Sequence, residues 1–375
     1  MKFIHTADWQ IGRIYAFEAD GDGHEPAAAL AKARYDVVAE IAALATVEQV
    51  DAVLVAGDVF DKQALSDSSL RRVVHAMSGF SGRWVLLPGN HDAALAESVW
   101  TRLQRLGVLT PNIDVALKPG VLEYPDAGFA VLAAPLTQRQ THADASEWFD
   151  TASTAPNLLR IGLAHGSVAG ILAESADSSN PIAADRAITA RLDYLALGDW
   201  HGTKQVDART WYAGAPEQDR FKDNDPGNVL LVEIDAPGAI PRVIPRRVGR
   251  YRWQARSVEV NGSADVERLQ EELRALGDAD VVRLDVVGLA DFATSEQLRT
   301  VIEEARARLH VLEADLSGLR LEPTAADLAA MQVDGALADV VEELRRLQAQ
   351  PERAAVANEA LKLLFDLVRR EGIGA

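Results

Sequence analysis

The first two thirds of the chain alternate short apolar runs with longer segments of helical periodicity. Apolar runs at 3–4, 52–56 and 84–87 predict strands, and segments at 27–45 and 67–78 predict helices. Further strands are predicted at 129–134, 158–164, 194–197, 210–213 and 228–234. Runs that are apolar throughout are typical of strands buried on both faces, so the pattern predicts sheet structure covered by helices.

The pattern changes near residue 250. Residues 242–256 contain six arginines and no acidic residue. A small α/β unit follows, with strands predicted at 256–260, 281–287 and 309–315 and helices at 264–276 and 295–308. Residues 324–371 are predicted to be helical, with two apolar stripes on either side of Pro351. We therefore predict three parts: a main domain at 1–252, a small domain at 253–323 and a helical tail at 324–375.

The tail has two interpretations, and the sequence favours neither. Its two helices could form a hairpin that closes its own domain. Alternatively, its amphipathic faces could dock on another chain.

The composition restricts the function classes. The chain has 375 residues, 56 acidic and 38 basic, and a net charge of −18, which opposes non-specific binding to nucleic acid but allows a local basic strip or bound divalent cations. The absence of cysteine excludes disulfides and thiolate metal sites. No apolar run approaches the roughly 20 residues of a membrane helix, and residues 1–8 lack a signal-peptide core. We therefore expect a soluble cytoplasmic protein without membrane association.

Short polar motifs follow the ends of five predicted strands. They lie at 5–10, 57–61, 89–92, 165–166 and 198–202. Each alone has an ordinary explanation, such as a helix cap or a turn. Together they place carboxylates, imidazoles and an amide at the strand ends of one domain, which is where ligands collect in open α/β sheets.

Such a donor set suits two divalent cations about 3.5–4 Å apart. One carboxylate must bind both ions, because it offsets the repulsion between them. Asp58, after the most hydrophobic strand, is the best placed for this role. The ions would polarise a phosphoryl group and lower the pKa of a bound water, which provides hydroxide near neutral pH.

The order of these motifs resembles the calcineurin-like metallophosphoesterase superfamily. Residues 57–61 (Gly-Asp-Val-Phe-Asp), 88–92 (Pro-Gly-Asn-His-Asp) and 212–217 (Tyr-Ala-Gly-Ala-Pro-Glu) resemble more narrowly the SbcD-type DNA repair exonucleases. These are nuclease subunits that work with a coiled-coil ATPase of the SbcC type. The resemblance covers residues 1 to about 220. It implies an α/β fold, a two-sheet α/β/β/α sandwich, followed by a small α/β capping domain and the helical tail.

The resemblance also implies roles by position. The implied metal ligands are Asp8 and His201 for the first cation, Asn90 and His165 for the second, and Asp58 between them. His91 is implied as the general acid or transition-state stabiliser, and Asp92 as the carboxylate that orients its imidazole.

Two positions depart from the family pattern. The family usually has Asp-x-His in the first motif and Gly-His-x-His in the last, whereas this chain has Gln10 and Asp199 at the two histidine positions. With three carboxylates, two dications keep a net charge of +1, and oxygen ligands favour manganese or magnesium. We expect two manganese ions, with magnesium as the alternative, and Gln10 and Asp199 among the ligands. The alternative is that neither is a ligand and that one cation site is weak or lost.

We therefore expect a two-metal phosphodiesterase that hydrolyses DNA as an exonuclease or endonuclease, by metal-hydroxide attack on phosphorus with assistance from His91. Expected partners are DNA and an SbcC-type ATPase, with a homodimer as a further assembly. The candidate DNA contacts are Arg246, Arg247, Arg250 and Arg252, unless these residues only balance nearby acids. Two alternatives remain: a phosphodiesterase of small or cyclic nucleotides, and a non-catalytic subunit with a degenerate metal site that binds DNA or the ATPase.

Overall fold

The computed structural model describes residues 1–17, 24–170, 179–322 and 336–370. The chain divides into two compact units, Met1–Arg252 and Trp253–Ala375. Of the predicted helical tail, residues 324–335 and 371–375 lie outside the described residues. Among the described residues, none of the helices combines the length and the apolar character needed to cross a membrane.

The first unit contains two six-stranded sheets and a separate two-stranded one. Its strands are β1 Lys2–Thr6, β2 Ala52–Val55, β3 Arg83–Leu86, β4 Ile113–Val115, β5 Gly120–Tyr124, β6 Phe129–Ala134, β7 Leu159–His165, β8 Ser167–Val168, β9 Pro181–Ile182, β10 Tyr194–Gly198, β11 Lys204–Gln205, β12 Thr210–Tyr212, β13 Asn228–Glu233 and β14 Arg242–Arg247. Its α-helices are α1 His24–Val47, α2 Asp67–Met77, α3 Val99–Arg105 and α4 Arg186–Thr189. Short 3₁₀ helices occupy Pro125–Ala127 and Glu147–Thr151.

Each large sheet contains four parallel strands, extended by antiparallel strands on one side of the first sheet and on both sides of the second. In the first sheet, β1, β2, β3 and β4 are parallel in that order, and β13 and β14 continue it antiparallel beyond β1. In the second, β12, β10, β7 and β6 are parallel, and β11 and β5 form antiparallel edges. Parallel strands bring their carboxyl ends to one edge of each sheet, and the polar motifs follow these ends.

The alternation of side chains along the strands creates three hydrophobic layers. Phe3 of β1 lies in the core between the two sheets, while its neighbour Ile4 lies in the core between the first sheet and its helices. The inter-sheet core also contains Leu54, Val85, Val131, Ile161 and Ala196. On the outer face of the second sheet, Leu195 packs with Phe149 and Leu192. The predicted α/β/β/α sandwich is therefore confirmed.

The predicted elements of this unit differ from the observed ones mainly at their ends. Helix α1 is longer than the predicted 27–45, and α2 begins at the predicted residue because Ser66 caps it by accepting the N–H of Ser69. Strands β4 and β5 were not predicted. Both are edge or near-edge segments with mostly half-buried residues, so they lack a continuous apolar run.

The second unit has a three-stranded sheet. Its strands are β15 Arg252–Val260, β16 Asp280–Ala290 and β17 Val311–Leu321, and its helices are α5 Ser263–Arg274, α6 Phe292–Arg306, α7 Ala336–Gln348 and α8 Ala354–Arg370. Leu269 of α5 and Leu298 of α6 share a core with Leu284 of β16. The buried Asn358 of α8 donates to Leu319 O and accepts from Leu321 N, which holds α8 against β17.

Candidate metal centre

The predicted ligands follow strand ends of both sheets. Asp8 and Gln10 follow β1, Asp58 follows β2, and Asn90 follows β3, all in the first sheet. From the second sheet, His165 ends β7, and Asp199 and His201 follow β10. The structure brings all seven into one network of contacts at the carboxyl edges of the two sheets, as described below.

Backbone hydrogen bonds hold the loops of this edge side by side. The N–H of Asp8 donates to Gly57 O at 3.0 Å, and the N–H of Gln10 donates to Asp58 O at 2.9 Å. In the second sheet the N–H of Gly166 donates to Gly198 O at 3.2 Å. The chain therefore fixes the loop backbones independently of any ion.

The chain makes sharp turns where it leaves the strands. Of the ten non-glycine residues with positive φ in the described part of the chain, five are site residues: Asp8, Gln10, Asp58, Asp199 and His201. Such conformations cost free energy for residues with a side chain, and they persist where the surrounding structure enforces them. Such a concentration of strained backbone is typical of functional sites.

Glycines allow the close approach of the ligand side chains. A Cβ on Gly89 would lie 2.2 Å from Asp58 Oδ1 and 2.5 Å from Asp58 N. A Cβ on Gly57, whose φ is +91°, would lie 2.2 Å from His165 Nδ1. Glycine at these two positions is thus a steric requirement of the site.

Asp58 lies at the centre of the group. Its Oδ1 accepts the N–H of His91 at 2.9 Å and lies 3.6 Å from His165 Nε2. Asp8, Asp58 and His201, all buried, each offer one ligand atom, and these atoms lie within 4.8 Å of one another. A carboxylate in this position can face cations on either side.

We call Asn90 and His165 the second cluster. His165 Nδ1 lies 2.8 Å from Ala56 O, so it donates there, and Nε2 faces Asn90 Oδ1 at 3.2 Å and Asp199 Oδ1 at 3.7 Å. In the neutral ring, Nε2 would then be an acceptor facing two further acceptors. A cation among these atoms resolves that conflict, so the donor set fits a divalent ion.

We call Asp8, Gln10 and His201 the first cluster. His201 Nε2 lies 4.0 Å from Asp8 Oδ1 and 3.1 Å from Gln10 Nε2. The amide oxygen of Gln10 accepts from Arg13 at 2.8 Å. As placed, Gln10 therefore turns its nitrogen towards His201, and it would have to rotate its amide group to offer the predicted oxygen ligand.

The electrostatics favour cation binding. Burial, reinforced by Asp58 and Asp199, raises the pKa of Asp8 to about 6 despite the opposing effect of His201 and His165. Burial likewise raises the pKa of Asp199. For His165, burial lowers the pKa, but the neighbouring carboxylates of Asp58, Asp8 and Asp199 outweigh it and raise the value to about 9. Buried carboxylates that repel one another are stabilised by divalent cations.

His91 lies at the edge of the site, with 32% of its side chain exposed and Nε2 4.0 Å from Asp58 Oδ2. The prediction that Asp92 orients this imidazole is wrong, because His91 Nδ1 bonds Asp61 O at 2.9 Å instead. Asp92 is buried and accepts from Phe60 N at 3.0 Å and Gly89 N at 2.6 Å. It stabilises the loop that carries Asn90 and His91, and burial together with Asp58 raises its pKa to about 8.

The candidate DNA-binding arginines lie on β14 and the segment after it. Arg246 pairs with Glu48 at 3.8 Å, and Arg247 donates to Pro226 O and Tyr251 O. The backbone N–H of Arg250 donates to Glu217, and Arg252 begins β15. The pairing of Arg246 matches the alternative in which these charges balance nearby acids.

Asp219 and Arg220 are not among the residues predicted from the sequence, although they contact the site. Asp219 Oδ2 lies 3.3 Å from His201 Nδ1 and is reached by both Arg13 and Arg34. Although burial opposes ionisation, His201 and Arg34 hold the pKa of Asp219 well below its usual range. The only available signal was its place two residues after the motif at 212–217.

Comparisons with known proteins agree with this geometry. Residues 1–232 match the family described as calcineurin-like phosphoesterase. The chain is 29% identical over 338 residues to a Rhodobacter capsulatus protein named as a subunit of the nuclease SbcCD, covering 74% of this chain and 78% of the relative. A Bacillus subtilis protein of the same name is 27% identical over 64% of this chain and 67% of its own length. A second Bacillus subtilis protein, named Uncharacterized metallophosphoesterase YhaO, is 24% identical over 84% of this chain and 78% of its own length.

Proposed function

Since the chain belongs to the calcineurin-like phosphoesterase family and is a phosphoesterase, we propose that it is a two-metal phosphodiesterase that hydrolyses DNA. The observation that carries the proposal is the convergence of ligand side chains from two sheets on the buried Asp58. The two relatives named as nuclease subunits support DNA as the substrate. The absence of cysteine favours action in the cytoplasm.

The site residues would have different roles, as cation ligands or as a proton donor. Asp8 and His201 would hold one ion, Asn90 and His165 the other, with Asp58 shared and Asp199 contributing an oxygen. When bound, two divalent ions, manganese or alternatively magnesium, supply the charge that polarises a phosphoryl group and lowers the pKa of water. His91 donates from Nδ1 to Asp61 O, so Nε2 is the atom left to exchange a proton with the substrate.

We also propose a partner. The relatives named as SbcCD nuclease subunits imply an assembly with an SbcC-type ATPase. In this chain, residues 253–323 would form a capping domain, and the tail would provide the docking surface. Within the described tail, Val340, Val356, Leu363 and Leu367 are exposed apolar residues, which is the composition that such a docking surface needs.

Two observations favour the smaller-substrate alternative. Arg246 and Arg247 already have partners within the chain, and the net charge of −18 opposes a polyanion. The capping domain, the arginine strip and the tail weigh against this alternative, since a phosphodiesterase of nucleotides needs none of them. One experiment should therefore test both the substrate and the metal centre.

The experiment compares His91→Ala with the wild-type protein after manganese loading. Substrates are linear duplex DNA, single-stranded DNA and a chromogenic phosphodiester, and elemental analysis counts the ions per chain. We expect DNA cleavage by the wild type and a loss of roughly 10²–10⁴-fold in the variant, because a positioned proton donor is removed while the ligands stay. The variant should keep two ions.

His75→Ala is the matched control, since His75 is exposed on α2 and should leave turnover unchanged. Cleavage of the chromogenic diester without cleavage of DNA would favour the small-substrate enzyme. Fewer than two ions in the loaded wild type would contradict the ligand set. Loss of an ion in His91→Ala would make His91 a ligand instead of a proton donor.

A further inference from the structure

A buried carboxylate outside the proposed ligand set lies beside His201. The side chain of Asp219 is 2% exposed, and its oxygens approach four basic side chains. These are His201 Nδ1 at 3.3 Å, Arg13 Nη1 at 3.3 Å, Arg220 Nε at 3.0 Å and Arg34 Nη2 at 3.7 Å. Four basic groups around one carboxylate are more than a buried anion needs, so at least one is available for another role.

The contacts at His201 Nδ1 compete with one another. Arg220 Nη2, which can only donate, lies 2.8 Å from this nitrogen, and Asp219 Oδ2, an acceptor when ionised, lies 3.3 Å from it. A ring nitrogen can accept from the arginine or donate to the carboxylate, but it cannot do both. When Nε2 gives its lone pair to a cation, the hydrogen of the neutral ring must be on Nδ1. Asp219 is then the partner, and Nη2 of Arg220 loses its acceptor on the ring.

The guanidinium of Arg220 keeps one edge for another anion. Its Nε and Nη2 bind the two carboxylate oxygens of Asp219 at 3.0 and 3.1 Å. Within the described residues Nη1 makes no hydrogen bond, and 45% of the side chain is exposed. The edge formed by Nη1 and Nη2 matches two oxygens of a phosphate group.

We propose that Asp219 and Arg220 act as a pair: Asp219 fixes His201 as a cation ligand, and Arg220 binds an oxygen of the substrate phosphate beside the metal centre. Asp219 is a positioning residue, because it acts through His201 and Arg220. Arg220 is a catalytic residue, because it touches the substrate. The inference rests on the proposed phosphodiesterase site and adds a specificity for anionic phosphoesters.

The test titrates manganese-loaded protein with inorganic phosphate by calorimetry and measures manganese affinity separately. In Arg220→Met, phosphate affinity should fall roughly ten- to hundred-fold, the value of a charge-assisted hydrogen bond, while manganese affinity stays close to that of the wild type. Arg220→Lys should recover only part of the loss, because an ammonium group lacks the two-donor edge. In Asp219→Asn, manganese affinity should fall about 10–100-fold, as expected when the partner of a ligating histidine is removed, and phosphate affinity should also fall.

Two substitutions in the same unit serve as matched controls. Arg72→Met removes an arginine that is 47% exposed and paired with Asp36, and Asp144→Asn changes a mostly buried carboxylate paired with Arg186. Neither should change manganese or phosphate affinity.

Three results would contradict the proposed roles of Asp219 and Arg220. Arg220→Met could bind phosphate as tightly as the wild type, or it could lose manganese affinity and keep phosphate affinity. Asp219→Asn could bind manganese as tightly as the wild type. Wild-type protein that hydrolyses no phosphodiester, yet binds phosphate through Arg220, would contradict the proposed function and leave the pair standing.

Discussion

The two clusters around Asp58 are held in place in different ways. In the second cluster, His165 is fixed by Ala56 O, a backbone atom at the end of a buried strand. In the first cluster, His201 is held by the side chains of Asp219 and Arg220. A backbone partner moves only if the sheet moves, whereas a side-chain partner can be changed by one substitution. The second cluster is therefore preset by the fold, and the first is adjustable.

The departure at Gln10 falls in the adjustable cluster. There the family's imidazole is replaced by an amide that also bonds Arg13. Asp199 faces both clusters, since its N–H donates to Asp8 and its Oδ1 lies 3.7 Å from His165 Nε2. Of the two departures from the family pattern, Gln10 thus contacts only the side-chain-held cluster, whereas Asp199 contacts both clusters.

The largest predicted loss of turnover comes from a substitution that displaces Asp58. Because both clusters share Asp58, this substitution should impair both of them. In Gly89→Ala, the new Cβ would lie 2.5 Å from Asp58 N, and backbone cannot yield as a flexible side chain would. We expect both ions to be lost and turnover to fall by more than the roughly 10²–10⁴-fold expected for His91→Ala, because the charge that polarises the phosphoryl group and activates water is lost as well. Overpacking should also lower the free energy of unfolding by about 1–3 kcal/mol. Elemental analysis, steady-state kinetics and denaturant unfolding measure these three quantities.

Gly120→Ala is the control for this prediction. Gly120 lies on β5 of the second sheet, and the nearest atom to its new Cβ would be Lys118 O at 3.9 Å. It should keep both ions and full turnover. If Gly89→Ala retained two ions, the close approach of Gly89 and Asp58 would not be a requirement of the site.

The contrast between positions fixed by strand backbone and positions fixed by side-chain contacts also explains which parts of the structure could be predicted from the sequence. Buried parallel strands such as β2 are continuous apolar runs, and ligands directly after them, such as Asp8 and Asp58, inherit their position from the sheet. The edge strand β5 lacks that signal because its residues are mostly half-buried and do not form a continuous apolar run. The fold and the preset part of the site were thus accessible from local pattern and family resemblance.

The side-chain network was not accessible in this way. Asp219 follows no strand, and its contact with His201 depends on how two irregular loops pack. The predicted contact between Asp92 and His91 is wrong because residues that are adjacent in a turn can point their side chains in different directions. Its carboxylate points to the N–H groups of Phe60 and Gly89, away from the neighbouring imidazole.

The next prediction concerns cation affinity, which should depend on pH differently at the two clusters. A ligand binds a cation only after losing its proton, so affinity rises with pH until the metal-free pKa is passed. The pKa of Asp8 is raised to about 6, so its contribution should level off above that pH. The pKa of His165 is raised to about 9, so affinity at the second cluster should keep rising up to pH 9. Each proton released changes affinity by up to about tenfold per pH unit.

Manganese titrations at pH 5.5, 7 and 8.5, in buffers of different ionisation enthalpy, report both affinity and proton release. His165→Asn serves as the internal comparison, since it removes the imidazole and should abolish the rise between pH 7 and 8.5. Affinity that stays constant over this interval in the wild type would mean that His165 is already neutral before the ion binds.

The smallest predicted change in cation affinity comes from Gln10→His, which restores the family's imidazole to the first cluster. Gln10 has a φ of +45° and lies 3.1 Å from His201 Nε2, so a histidine there would face the same point. Histidine tolerates this backbone conformation better than most residues. In Gln10→His, we expect affinity for the first cation to rise by about three- to tenfold, with a shift of preference from manganese towards zinc. Competitive metal titration measures both.

Gln49→His is the matched control, because Gln49 also has a positive φ, of +51°, but lies outside the site. It reports any cost of placing histidine in this backbone conformation and should leave cation affinity unchanged. A fall in affinity specific to Gln10→His would mean that the glutamine oxygen itself ligates the ion, after rotation away from Arg13. In that case the side-chain network of the first cluster rearranges on binding, and the contrast with the backbone-held second cluster becomes sharper.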